Sequence, residues 1–537
     1  MQLITDASED KLRGGFYSPM ELAQFILRGV FAKKRRRNML EPSCGDGVFI
    51  KALQQGRWNY SSMTAIEIDD KEASKAMAIN IANCKVLNRD FLEYCLTTND
   101  RYDTIVGNPP FIRYQFINKE QQEMARQIFE RSGLKYSKLT NIWVSFVVGA
   151  SQLLTDDGIL GMVIPAELLQ VGYAKVLRDY LAKTFNKVSF ISFKKLVFPV
   201  IQQEVILLFC EKDGSKKHLI GHIELNDEND LKNFMFDNLD GVYNEMDFKS
   251  SKWTTYFLNK EEVDFLTDIR TKLNLKQIRD YAKVEVGMTT GSNPYFTVSS
   301  AVVNEYSLQP YAKRLVGRSV QVPSAIFTEK DWALNNTKED IRSNILLFPT
   351  LSKIKSPKVK QYLQKGIDEK INEGYKCGIR DEWQIIPSAW VPDALFIRRN
   401  NLFPKLIINE ACAYTTDTMH RVSVNEGVNI RAFVASYYNS ISLAFSEICG
   451  RSHGGGVLEL MPNEVEDIPL PYHEDNESLI DEIDSMLRAK RPISEILDHT
   501  NSIILKKNYN IEDSDIKIAN SIWNKLQKRR LGRGGKE

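Results

Sequence analysis

The sequence predicts a doubly wound α/β domain, then a mixed α+β domain, then a C-terminal helical segment, with divisions at 1–250, 251–475 and 476–537. Three observations predict this. Through residue 211, short β-branched runs alternate with helical patterns, as in a layered α/β sheet. Four successive runs lead to a polar group, namely Glu41, Glu67, Asp90 and Asn108, at the sheet edge where open α/β folds bind ligands. Beyond the first domain the alternation gives way to aromatics and irregular turns at Gly287, Gly291, Asn293-Pro294 and Gly454-Gly-Gly456, with no fixed repeat, and helical patterning returns from Asn476.

Residues 20–31 carry an amphipathic helical pattern and precede the basic run 33–37. A short apolar strand, 38–41, enters the glycine turn Glu41-Pro-Ser-Cys-Gly-Asp-Gly47 and a helix. A second strand, 63–68, contains Glu67, and a third, 85–87, leads to Asp90-Phe91. The fourth, Arg101-Tyr-Asp-Thr-Ile-Val-Gly107, delivers Asn108. A long apolar helix over 141–154 is followed by strands at 158–164, 188–193 and 204–210. After Glu211 the regular alternation is expected to stop, and the acidic stretches 224–230 and 237–247 read as an interdomain connection. The basic end, Lys525-Leu-Gln-Lys-Arg-Arg-Leu-Gly-Arg-Gly-Gly-Lys536, reads as a frayed tail, either solvated or in contact with a polyanion.

Composition narrows the class. The chain has 537 residues, 43% hydrophobic and 26% charged, ample for a buried core. The most continuous apolar run, 142–154, is too short to span a bilayer, and the N-terminal stretch carries Asp6, Glu9 and Asp10 in place of a basic-then-apolar signal, so a cytoplasmic location with no membrane partner is expected. Seven cysteines without a Cys-x-x-Cys pair argue against a disulfide framework or zinc ribbon. A net charge of +2 means that any polyanion must meet a local basic surface. His218-Leu-Ile-Gly-His222 has helical metal-ligand spacing but lies in a strand-like run with no accompanying Glu, so no metal is assigned.

The chemistry centres on Asn108-Pro109-Pro110-Phe111. Two adjacent prolines remove backbone donors and stiffen the loop, which leaves the Pro109 carbonyl and the Asn108 side-chain oxygen as two acceptors for one planar exocyclic amine. Such acceptors draw the amino hydrogens from the ring plane and localise the nitrogen lone pair for attack on a methyl sulfonium, with Phe111 stacking on the base. In the glycine turn, Ser43, Gly45 and Gly47 let backbone approach a ligand, but their spacing is not the Gly-x-Gly-x-x-Gly of dinucleotide folds. A ligand without pyrophosphate is therefore expected. S-adenosylmethionine fits, with Glu67 on the ribose, Asp90 accepting from the adenine amino group, and Ile68 and Phe91 against the adenine faces.

On these residues the chain resembles, over most of its length, the gamma-class adenine-N6 DNA methyltransferases of restriction-modification systems with a TaqI-like C-terminal target recognition domain. Gly15-Phe-Tyr-Ser-Pro19 looks like that family's first motif, and 41–47 looks like its glycine turn. The order also agrees, with cofactor motifs before the Asn-Pro-Pro-aromatic motif and recognition after it. Segments 284–296 and 451–462 look like the opening and close of the recognition domain, whereas Asn293-Pro294-Tyr295-Phe296 lacks the second proline and follows no strand of the sheet, and is set aside. The resemblance implies a class I S-adenosylmethionine-dependent methyltransferase domain over 1–250, a DNA-recognition domain over 251–475, and the helical segment with its basic tail. It implies cofactor contacts from Phe16, Tyr17, Ser18, Pro19 and Phe146 beside Glu41, Ser43, Gly45, Gly47, Glu67, Ile68, Asp90, Phe91 and Asn108. It further implies a flipped adenine held between Phe111 and Phe198, double-stranded DNA as partner, and a cognate restriction endonuclease acting separately. Ser18 stands where many members have Thr, which keeps the hydroxyl, and Phe111 stands where Tyr is also common, which leaves stacking intact.

DNA is expected between the two halves, its phosphates met by lysines and arginines such as Lys194, Lys195, Lys313, Arg314, Arg318, Lys353, Lys355 and Lys358. There is no Pro-Cys dipeptide, so the nucleophile of cytosine-C5 enzymes is missing. Rival readings are methylation of a protein glutamine amide or an RNA base, a fused restriction-modification enzyme, and an inert DNA-binding subunit. A protein-amide enzyme leaves the second half without a task. The fused enzyme has no Glu-x-Lys at suitable distance after its single Pro-Asp, Pro392-Asp393, and only fourteen residues precede Gly15.

Overall fold

A computed structural model describes residues 18–32, 38–56, 58–195, 204–239, 241–246, 252–453 and 455–532. The contacts divide these into two compact units, with the chain passing from the first to the second after Phe257.

The first unit is built on a nine-stranded sheet. Its strands are β1 (Asn38–Glu41), β2 (Ser62–Glu67), β3 (Cys84–Asn88), β4 (Tyr102–Gly107), β5 (Leu154–Pro165), β6 (Lys187–Phe193), β7 (Val205–Glu211), β8 (Leu219–Leu225) and β9 (Asn244–Glu245). They lie in the order β3-β2-β1-β4-β5-β7-β6-β8-β9. The first five are parallel, while β7 runs antiparallel between β5 and β6. The alternation therefore does not stop at Glu211 as the sequence suggested. Leu219–Leu225 pairs in parallel with β6, and the polar residues that disguised this strand lie on a partly solvated sheet edge.

Helices cover both faces. Helix α1 (Met20–Phe31) turns Leu22, Phe25, Ile26, Leu27 and Val30 onto Val106, Val163, Leu207 and Phe209, as its 3.6-residue pattern requires. Helices α2 (Val48–Gly56) and α3 (Asp70–Ala78) flank β1 and β2, with Ile50 and Ala76 meeting Ala65 in a small second core. Helices α4 (Phe91–Thr97), α5 (Lys119–Arg131) and α6 (Ile142–Leu153) pack together. All of α6 except Gln152 is buried, which explains an apolar pattern with no polar face. Each large side chain it buries contributes roughly 1.5–3 kcal/mol. Helix α7 (Lys175–Thr184) leads into β6. Trp253 stacks on Phe190, and Phe257 meets Phe190 and His222 edge-on, so both rings belong to this unit.

His222 is explained by that packing. It shares a 2.9 Å hydrogen bond with Ser192 Oγ, while His218 Nδ1 lies 2.9 Å from the Phe185 carbonyl. No group of three or more metal-ligating side chains occurs among the described residues. All seven cysteines are free. No helix among the described residues is long and apolar enough to cross a membrane.

The second unit opens with α8 (Lys260–Lys272) and holds three small sheets. Strands β10 (Ala282–Val286), β11 (Ala394–Ile397), β12 (Leu406–Ile408) and β13 (Met419–Val424) form an antiparallel sheet in the order β10-β13-β11-β12. Asn293–Phe296 is one helical turn whose rings are core: Tyr295 and Tyr362 stack and exchange hydroxyl-to-carbonyl hydrogen bonds. The Arg314 guanidinium donates to the Ala411 carbonyl, pairs with Glu329 and lies over Trp332, so it is engaged within its own unit.

The C-terminal stretch departs from the expected frayed tail. Asp513–Leu531 is a continuous helix, α10 in chain order after α9 (Ser440–Cys449), and it packs on α9. Arg530 is 1% exposed and holds Glu447 in a bidentate pair at 3.0 and 2.7 Å, with further bonds to the carbonyls of Asn401 and Gly456. The charge run misled because one arginine in it serves the core. Breaking such a pair on one side strands the partner charge. Arg530→Leu is expected to destabilise the protein by about 3–5 kcal/mol, read as a lowered urea midpoint, with partial recovery when Glu447→Leu is added.

Candidate active site

A cavity of about 450 Å³ lies at the carboxyl ends of β1, β2 and β4. The local fold explains why it exists. Glu41↔Ala65 and Leu40↔Ile105 register places the ends of β2, β1 and β4 side by side, so each strand hands its last polar residue to one space. The glycine turn between β1 and α2 is held down by Cys44 N–H donating to the Ile66 carbonyl at 2.9 Å. Gly45 and Gly47 have φ of +53° and +87°. At Gly47 a Cβ would meet Ile79 Cδ1 at 2.4 Å and the Ala76 backbone at 3.2 Å, so this residue sets how closely the turn approaches α3 and does not itself border the cavity.

Glu67 is fixed by two backbone donors: Gly45 N–H at 2.8 Å on one oxygen and Asp69 N–H at 2.9 Å on the other. Glu41, at the end of β1, is 1% exposed. Its burial, then the carboxylates of Glu67 and Asp46, hold its carboxyl well above the usual range. Glu41 Oε2 and Ser18 Oγ are buried beside the cavity with no hydrogen-bond partner among the described residues. Cys44 borders the cavity too, but burial, then Glu41 and Glu67, push its thiol far up and keep it protonated and inert.

Asn108 and Pro110 form the far wall. Ser43 Oγ donates to the Asn108 carbonyl at 3.0 Å, which ties the glycine turn to the tetrapeptide. The following loop is anchored by Ile142 N–H to the Ile112 carbonyl and by Tyr114 N–H to Asn141 Oδ1, both at 3.1 Å. Asn141 in turn donates from Nδ2 to Tyr173 Oη at 2.8 Å and to Glu167 Oε2 at 3.3 Å, and Tyr173 donates to Glu167. Burial and the Glu167 carboxylate raise the Tyr173 hydroxyl far above its ordinary value, which keeps it a donor. Sequence reasoning missed this support. Its one signal was a polar residue at the start of an otherwise apolar helix.

At the opposite end stand Ile68, Asp90, Phe91 and Phe146. Phe91 and Phe146 are buried, their ring centroids 5.0 Å apart, while Ile68 is 60% exposed. Asp90 caps α4 through Leu92 N–H at 2.6 Å and accepts from Gln121 Nε2 at 3.2 Å on its other oxygen. Gln121, on the first turn of α5, borders the cavity and was not foreseen, because nothing in its helix distinguishes it from the neighbouring glutamine and glutamates.

The structure thus brings Ser18, Glu41, Ser43, Gly45, Glu67, Ile68, Asp90, Phe91, Asn108, Pro110 and Phe146 around one cavity. Pro19 precedes α1 as its cap and does not border the cavity. Pro109 is buried, and Phe111 is half-buried against the first core. Phe16, Tyr17 and Phe198 lie outside the described residues.

Fold and cavity together define a class I methyltransferase domain, followed here by a multi-sheet and helical region. The profile of the Eco57I restriction-modification methylases matches residues 46–198, and that of the C-terminal domain of Type II methyltransferase M.Eco57I matches residues 250–505. These two matches mark the chain as a methyltransferase of the restriction-modification kind, similar in both parts to the Eco57I type. It is 25% identical over 539 residues to Type II methyltransferase M.AccI of Acinetobacter calcoaceticus, covering 96% of this chain and 92% of that protein. It is 25% identical over 257 residues to Type II methyltransferase M.HincII of Haemophilus influenzae, covering 47% of each. Among solved structures, the Type IIL restriction-modification enzyme MmeI in complex with DNA shares the fold at a TM-score of 0.55 and 12% identity, covering 95% of this chain and 76% of that one.

A cation entering beside Glu41 favours its ionised form, so binding should release the proton that burial retains. The affinity for S-adenosylmethionine, measured by calorimetry, is expected to rise with pH above the ordinary carboxylate range, and Glu41→Gln to flatten that dependence.

Proposed function

We propose that the protein methylates N6 of an adenine drawn out of double-stranded DNA, as the modification activity of a restriction-modification system, with the first unit catalytic and the second reading DNA. One observation carries this reading: Asn108 borders the same cavity as Glu67 and Asp90, so an amine-gripping corner and a cofactor-type acidic wall share one space. Separate cavities would have ended the idea.

The residues present fit S-adenosylmethionine. Unpartnered buried oxygens on Ser18 and Glu41 suit a polar, cationic ligand, and Glu67, Asp90, Ile68, Phe91 and Phe146 are placed to hold its ribose and adenine. When bound, S-adenosylmethionine supplies a methyl group made electrophilic by its sulfonium. The chain's own part is to orient the attacking amine. Asn108 Oδ1 and the Pro109 carbonyl accept its two hydrogens and keep the lone pair directed at the methyl carbon. Ser43 and the Asn141 anchor hold that corner still, which lowers the cost of aligning the reactants. Phe111 and Phe198 flank the extruded base, whose unstacking costs roughly a few kcal/mol. The match of 250–505 to an M.Eco57I C-terminal domain, and the DNA complex of the structurally similar MmeI, support DNA as the partner and the second unit as its reader.

Asn108→Ala is expected to retain binding of S-adenosylhomocysteine while N6-methyladenine formation on plasmid DNA falls by roughly 10²–10³-fold or more. An unchanged rate overturns the assignment. Sequencing of genomic DNA from expressing cells, with detection of modified adenines, identifies base and site together.

A further inference from the structure

Two loops at the mouth of the cavity form a surface of their own. Residues 111–118 lie between the Asn108 tetrapeptide and α5, and 132–141 precede α6. The Ile142-to-Ile112 and Tyr114-to-Asn141 hydrogen bonds knit them together, and Ile112 and Ile142 themselves border the cavity. The two loops contain Arg113, Lys135 and Lys138 and no aspartate or glutamate, and Lys119, the first residue of α5 and followed by Glu120, adds a fourth cation beside them. All four cations are exposed, and no ion pair engages them among the described residues. Between them Tyr114, Phe116 and Leu139 are 39%, 38% and 59% exposed. The contrast with the cavity's inner wall of Glu41, Glu67, Asp69 and Asp90 is one of sign. A lip with free cations, flat rings and no anions complements a polyanion that carries planar faces.

We propose that this lip grips the DNA strand from which the target nucleotide is withdrawn. Tyr114 and Phe116 pack against the bases left unstacked beside the vacated position, and Arg113 and Lys138 meet the flanking phosphates. The rings stand on backbone that Asn141 and Ile142 hold rigid, so little ordering is needed when DNA arrives. This inference rests on the DNA-methyltransferase reading above and extends it to how the strand is held.

The test uses the full chain. Wild-type protein must first bind S-adenosylhomocysteine and methylate plasmid DNA; failure there removes the underlying reading and the lip with it. Given that activity, Tyr114→Ala and Phe116→Ala are each expected to weaken duplex binding, and to raise KM for DNA, by about 5- to 100-fold, with S-adenosylhomocysteine affinity unchanged and Tyr114→Trp restoring most of the loss. Arg113→Ala and Lys138→Ala are expected each to reduce the slope of log affinity against log salt by about one. Active wild type with unaltered DNA affinity in the double ring variant overturns the proposal. So does an equal loss of S-adenosylhomocysteine binding, which marks the rings as structural. Single-stranded RNA competing as well as duplex DNA, with the same dependence on both rings, overturns the DNA assignment in favour of RNA.

Discussion

Parallel pairing of β2, β1 and β4 is the constraint on which the rest depends. Glu67, Glu41 and Asn108 are far apart in the chain, and each is unremarkable alone. The register that sets Glu41 beside Ala65, and Leu40 beside Ile105, brings all three strand ends to one edge. A slip of one residue would turn every side chain of β1 to the other face and send Glu41 away from its neighbours. The α1 core, built on Phe25, Val106 and Leu207, resists such a slip because it buries one face of the sheet completely.

Given that edge, the polarity of the cavity follows. Its inner wall collects carboxylates in partial burial, and one of them, Glu41, is so deep that loss of solvation, and then the charges of Glu67 and Asp46, oppose its ionisation. Such an arrangement is costly in an empty protein and is relieved by a positively charged ligand. The opposite lip carries cations without anions. On the proposed reading, this difference in sign suits a small cation inside and a polyanion at the lip, with Asn108 where the two meet.

Rigidity comes from residues that touch no reacting atom. Ser43 joins the glycine turn to the Asn108 backbone, and Asn141 carries the loop beyond Phe111 back to Glu167 and Tyr173. Two prolines stiffen the corner from within the chain, and these hydrogen bonds stiffen it from without. Gln121 provides similar support at the other end by steadying the Asp90 carboxylate.

The sequence by itself determined the alternation of strands and helices, the polar ends of four strands, the glycine turn and the Asn108 tetrapeptide, because each depends on local spacing and on residue types with strong backbone preferences. Most of the cavity's polar residues were legible for that reason. Only the tertiary structure decided that β8 continues the sheet beyond Glu211, that Arg530 lies in the core as the partner of Glu447, and that Phe111 packs half-buried against the first core. The same holds for Gln121, Asn141, Glu167 and Tyr173. Their parts depend on contacts such as Gln121 with Asp90 and Asn141 with Tyr114 and Tyr173, between segments 27 to 32 residues apart, and burial and pairing across such separations leave no periodicity in the chain to read.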